Sequence, residues 1–147
     1  MEEIANEDFE FSVTQQGAAF PGISTGGESD VTVTKSPKNK AVDKQVLTDK
    51  VEQSNAFNDW GCMGPLEKAG TGTLISTIIT GIFVIIAGST KCKAEGKFCM
   101  LKGDFALCQC SGIEQPSGGP PPPPPVPFVG ACKIEITDAG QTKCLGN

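Results

Sequence analysis

The stretch TKCKAEGKFCML, Thr90 to Leu101, decides the fold. Its centre, Glu95-Gly96, reads as the tip of a hairpin with a two-residue loop. Such a loop sets the register: Ala94 faces Lys97, Lys93 faces Phe98 and Cys92 faces Cys99. Upstream lies the most apolar run of the chain, LISTIITGIFVIIA (Leu74 to Ala87). It is rich in β-branched residues and interrupted by Gly81. That composition predicts one buried strand, or two strands bent at Gly81, rather than a helix. At 14 residues it is also short of the roughly 20 that a spanning helix needs, so no stable membrane insertion is expected. Downstream, Lys102-Gly103-Asp104 reads as the next turn.

Further outward the same punctuation continues. VTVTK (31–35) alternates as a half-buried strand, and SPKNK (36–40) reads as a turn. AVDKQVLTDK (41–50) reads as a hairpin element turning at Asp43-Lys44. Residues 51–70 are loop-like, with Trp60 as a core anchor beneath the Gly61-Cys62 loop. Residues 113–130 form a proline- and glycine-rich loop whose six consecutive prolines (120–125) read as polyproline II and stay out of any sheet ladder. ACKIEIT, the turn Asp138-Ala139-Gly140 and QTKCLG read as a last hairpin. A weak internal repeat links KAVDKQVLTDK (40–50) to KAEGKFCMLKGD (93–104): each is Lys-Ala, a turn, Lys, an apolar stretch, and a turn ending at Asp49 or Asp104. The fold class is therefore all-β, built of short hairpins.

Charge divides the chain. Residues 1–30 hold seven acids and no lysine, and residues 31–147 carry +2 within a net charge of −5. The first block reads as an irregular acidic N-terminal arm, loops around a short FSV strand (11–13), and residues 31–147 as the β domain. With no basic surplus, nucleic acid is not an expected partner. The start MEEIANEDFEF shows neither the basic nor the apolar region of a signal peptide. There is no His, no Tyr and no Arg. Those zeros remove a histidine base, the Ser-His-Asp and Cys-His pairings, and bidentate arginine clamps. An enzyme is not expected.

Seven cysteines remain: Cys62, Cys92, Cys99, Cys108, Cys110, Cys132 and Cys144. Cys108-Gln109-Cys110 places two sulfurs on one side of a strand. With Cys62 from a comparable loop they make three soft ligands for a structural Zn or Fe ion, and Cys132 or Cys144 is a candidate fourth. Disulfides and free buried thiols are the other readings of the same residues. Cys92 and Cys99, facing each other across the predicted hairpin, are a candidate disulfide or two ordinary strand cysteines.

The sequence GTLISTIITGIFVIIAGSTKCKAEGKFCMLKGD resembles the core signature of PAAR-repeat proteins. Gly88-Ser89, Glu95-Gly96-Lys97 and Gly103-Asp104 carry the likeness. Cys108-x-Cys110-Ser111-Gly112 followed by ACKIEITDAGQ is similar to the ending of a PAAR-like branch, and SDVTVTKSPKNKAVDKQVLTDK with NDWGCMGP resembles that branch's first hairpin and first cysteine loop. The resemblance covers about residues 30–147. It implies a small conical fold that caps the trimeric β-helical spike of a contractile injection machine, such as a type VI secretion system or a phage tail baseplate. One tip would sit on each trimer and sharpen it for membrane puncturing, touching the target-cell envelope transiently. It further implies assembly in a bacterial cytoplasm, into a virion tail or a secreted injection particle. Family tips commonly hold a metal near the apex with His and Cys ligands. With no histidine here, that role passes to Cys62, Cys108 and Cys110, or disulfides stiffen the tip, or it is metal-free. The alternative function is a small cysteine-rich metal-thiolate or disulfide-rich secreted protein.

Overall fold

A computed structural model of the chain describes the backbone of residues 1–16, 23–53, 57–58, 72–80 and 83–147. Among the described residues, thirteen strands and one 3-10 turn make up the regular structure. In chain order the strands are β1 (Glu2–Glu3), β2 (Glu10–Gln16), β3 (Ile23–Gly27), β4 (Val31–Ala41), β5 (Lys44–Gln53), β6 (Phe57–Asn58), β7 (Gly72–Thr80), β8 (Val84–Ile86), β9 (Lys93–Ala94), β10 (Lys97–Phe98), β11 (Phe105–Pro116), β12 (Val126–Asp138) and β13 (Leu145–Gly146). A six-stranded sheet runs β3-β2-β12-β11-β7-β6, a three-stranded sheet runs β4-β5-β8, and β1-β13 and β9-β10 are two-stranded. Every named pairing is antiparallel. Among the described residues no helix is long and apolar enough to cross a membrane.

Two-residue periodicity builds the core. On β2, Phe11 and Val13 point inward, and on β12 so do Cys132, Ile134 and Ile136. Lys133, Glu135 and Thr137 alternate with them toward solvent. The apolar face packs against Val31 of β4, Leu47 and Val51 of β5, and Ile85 of β8, with Phe9, Phe83 and Met100 closing the same cluster. Each fully buried Leu, Ile, Val or Phe side chain contributes roughly 1.5–3 kcal/mol relative to exposure.

The predicted hairpin at 90–101 forms in the expected register, with Ala94 opposite Lys97 and Lys93 opposite Phe98. Glu95 (φ 51°) and Gly96 (φ 81°) supply the left-handed turn. The hairpin expected at 41–50 forms as β4–β5, but it turns one residue earlier than Asp43-Lys44: Val42 (φ 52°) and Asp43 (φ 63°) make the loop and Ala41 faces Lys44. The apolar run divides between two sheets, β7 in one and β8 in the other. The bend assigned to Gly81, and the anchor role assigned to Trp60, lie outside the described residues.

Several expectations are corrected. The described part of residues 1–30 is no irregular arm: the short FSV strand read there lies within β2, which pairs with β12 inside the large sheet, and Ala5, Phe9, Phe11 and Val13 are core residues. Their acidic neighbours stay at the surface, where Glu7 accepts the Gln45 N–H (2.8 Å) and meets Lys35. That N–H, then Lys35, holds the Glu7 carboxyl below its ordinary value against the opposing effect of desolvation. SPKNK is not a terminal turn but an excursion within β4: Lys35 pairs with Leu47 and Lys40 with Gln45, so residues 36–39 bulge out between them. Asp49 likewise ends no strand. It takes φ 66° at a bulge and β5 continues. The proline-rich loop is shorter than 113–130, because β11 runs to Pro116 and β12 starts at Val126. Its bonds Gly119–Pro120 and Pro120–Pro121 are cis. The last hairpin does not form. After Asp138 the chain turns away and β13 pairs with β1 instead.

Candidate functional site

The two like-sequence hairpins converge on one small cluster. Lys40-Ala41 and Lys93-Ala94 stand at equivalent places before their turns, and both alanines are buried. They share a cluster with Val46 and Cys99, against which Ile4, Cys92 and Cys144 pack. A bridge between Thr48 and Cys99 joins β5 to the second hairpin. Both chain ends arrive here as well. The Ile4 N–H donates to the Cys144 carbonyl (2.9 Å), and the N–H groups of Thr90, Lys91 and Cys92 all donate to the main-chain oxygen of Asn147 (2.9–3.1 Å). Gln141 ties the same corner together: its amide donates to the carbonyls of Ile4 and Cys144 and its oxygen accepts from the N–H groups of Lys143 and Cys144.

Within this cluster the sulfurs of Cys92 and Cys99 lie 3.2 Å apart. The Cys99 N–H donates to the Cys92 carbonyl (3.0 Å), so the backbones are in hairpin contact at this level too. Cys99 is 2% exposed and Cys92 is half-buried. Burial first, then the adjacent Cys92 sulfur, pushes the Cys99 thiol up to about 12.

Of the three residues expected to hold a metal, Cys108 is placed otherwise. Cys108 on β11 faces Cys132 on β12 in register, and the two are disulfide-bonded with a Cα–Cα distance of 5.1 Å. Cys132 is fully buried and Cys108 packs against the main core. A bonded Cys108 offers no thiolate to a metal. Cys110 stands in the ladder between Gly130 and Ile79, and Cys62 lies outside the described residues. Among the described residues no group of three or more Cys, Asp or Glu side chains is arranged to hold an ion. The Cys108–Cys132 pairing had a signal in the sequence. The two residues are equidistant along the chain from Pro120, and a hairpin folded about that residue sets them opposite each other.

An open groove of about 620 Å³ lies nearby, lined in part by Glu2, Gly88, Asp104, Glu135 and Thr137. Asp104 Oδ2 accepts from the N–H groups of Leu101 (2.8 Å) and Gly88 (2.9 Å), which fixes the Lys102-Gly103 turn against the strand end at Gly88. Burial raises the Asp104 pKa, and these two hydrogen bonds oppose that rise. The carboxylate is thus committed to structure.

The chain matches no protein-family model, no curated protein and no solved structure.

Proposed function

We propose that this protein is a PAAR-like structural tip that caps the trimeric central spike of a contractile injection machine. The observation that carries this reading is the convergence of two hairpins of like sequence and like turn geometry on one cluster that also gathers both chain ends. A part whose work is mechanical benefits from short, locally closed elements and cross-links, because a small turn-rich chain builds a limited core. The Cys108–Cys132 disulfide is such a cross-link. Ile86, Phe105 and Leu107 are more than half exposed on the neighbouring strands β8 and β11. Exposed apolar side chains on two adjoining strands favour a partner over them.

The test is co-expression with the trimeric β-helical spike protein of the same genome neighbourhood, followed by affinity capture and native mass measurement. One copy per trimer is expected, and Leu107→Glu with Ile86→Glu should abolish capture while leaving the circular dichroism spectrum unchanged. Failure of the unaltered protein to associate with the spike would overturn the reading. A disulfide-rich secreted protein is the second reading, favoured by the Cys108–Cys132 bond. It requires further bridges among the remaining cysteines and no spike association.

A further inference from the structure

We infer that Cys92 and Cys99 form a redox-active dithiol, modified by low-molecular-weight disulfides such as oxidised glutathione, in which Cys92 is the attacking thiol and Cys99 closes the bridge. This inference does not rest on the spike-tip reading.

The geometry divides the roles. The sulfurs are in contact at 3.2 Å, and a disulfide of about 2.05 Å needs them to close by only about 1.2 Å. The backbone already holds the pair, through the Cys99 N–H to Cys92 carbonyl bond and the adjoining Lys93–Phe98 register. Access is unequal: Cys92 reaches solvent and Cys99 does not. A dissolved disulfide therefore meets Cys92 first. The flanking Lys91 and Lys93 suit an anionic reagent, with Lys93 seated over the Phe98 ring (4.6 Å).

The reaction balances as two exchanges. The Cys92 thiolate attacks one sulfur of the glutathione disulfide. That S–S bond breaks, a protein–glutathione bond forms, and one glutathione leaves as thiolate and takes up the proton that Cys92 lost. Cys99 then loses its proton and attacks the Cys92 sulfur, expelling the second glutathione, which is protonated in turn. Two protein thiols and one glutathione disulfide become one protein disulfide and two glutathione thiols. The product staples β9 to β10 beside the loop whose N–H groups hold Asn147, so oxidation tightens the corner where both chain ends meet. Cys144 packs in the same cluster and is the rival partner.

The full-length protein is reduced under conditions that keep it folded, equilibrated with defined ratios of oxidised and reduced glutathione, quenched with acid, alkylated and peptide-mapped. The expected product has lost two hydrogens and carries a Cys92–Cys99 linkage. In Cys99→Ser the glutathione adduct stays trapped on Cys92, and in Cys92→Ser no adduct forms on the buried Cys99. A bridge from Cys144 to either residue, an adduct on Cys99 ahead of Cys92, or persistence of both thiols at ratios that oxidise the free peptide KCKAEGKFC would overturn the inference. Should a variant fail to fold, the linkage map of the unaltered protein decides.

Discussion

A methyl group on Gly140 would overlap Asn6 Oδ1 and lie 2.7 Å from the Asp8 carbonyl carbon. Gly140 also has φ +83°, a conformation that side chains disfavour. Asn6 has nowhere to go. It is 1% exposed, its Nδ2 donates to the Ala41 carbonyl (3.0 Å), its Oδ1 accepts from the Asp8 N–H (2.9 Å), and its own N–H donates to the Ala139 carbonyl (2.9 Å). One residue thus joins the N-terminal segment, the first hairpin and the turn after β12. Gly140→Ala combines dihedral strain with displacement of this hub. It should cost more than about 2 kcal/mol, read as a lowered denaturant midpoint. Asn6→Ala should cost a comparable amount by orphaning buried hydrogen-bond partners.

The local parts of this fold were legible in the sequence and the long-range ones were not. Glu95-Gly96 sets its own register because a two-residue loop leaves no freedom. The Phe9, Phe11, Val13 alternation was also present, but Glu7, Asp8 and Glu10 around it read as a solvated block. The strand needed β12 as a partner before its apolar face had meaning. The β1–β13 pairing spans nearly the whole chain: QTKCLG read as a strand, but with ACKIEIT as its partner, and Glu2-Glu3 carries no local strand signal. The disulfide was obscured by reading residues 113–130 as loop, which hid the hairpin that sets Cys108 against Cys132. Cys108 was therefore assigned to a metal, with Cys62 and Cys110, before its neighbour across the ladder was known.

Removing that disulfide should weaken the fold without changing its topology. The bond joins residues 24 apart, and chain-entropy estimates for a loop of that size give about 3.5 kcal/mol. Cys108→Ser with Cys132→Ser should lose about that much, measured by urea unfolding against the oxidised parent. Cys132→Ser carries the added cost of a hydroxyl at a fully buried site. Ala in place of Ser at residue 132 should restore part of the loss.

Asp104 gives a pH dependence of definite sign. Its folded pKa lies above the ordinary 3.8 because burial disfavours the charge. Folding therefore favours the protonated carboxyl. That contribution is fully present below the unfolded value and is lost as pH rises through the folded one. Both hydrogen bonds end on Oδ2, so in Asp104→Asn one amide oxygen can accept both. The stability of the parent relative to Asp104→Asn should fall as pH is raised from about 3 through the folded pKa, and then level off. Paired urea titrations across that range measure it. Asp104→Ala removes the acceptor altogether and should cost about 1–3 kcal/mol at every pH.

The two hairpin turns are a built-in comparison of turn chemistry. Val42 and Glu95 occupy matching first positions with φ 52° and 51°, where a β-branched residue is the worse choice. Val42 is 45% exposed, so little packing is lost by replacing it. Val42→Asn should stabilise by about 1 kcal/mol, since Asn tolerates the left-handed region and valine does not. Val42→Pro, fixed near φ −65°, should destabilise by more than that. Glu95→Asn should gain less, because the Glu95 carboxylate accepts from the buried Ser36 hydroxyl (2.8 Å), which reaches across from the excursion in β4. Equal gains at both turns, read from denaturant midpoints with unchanged slope, would mean that the Ser36–Glu95 contact contributes nothing. Unequal gains in the stated order would mean that this cross-hairpin hydrogen bond is what keeps an otherwise poor turn residue in the second copy.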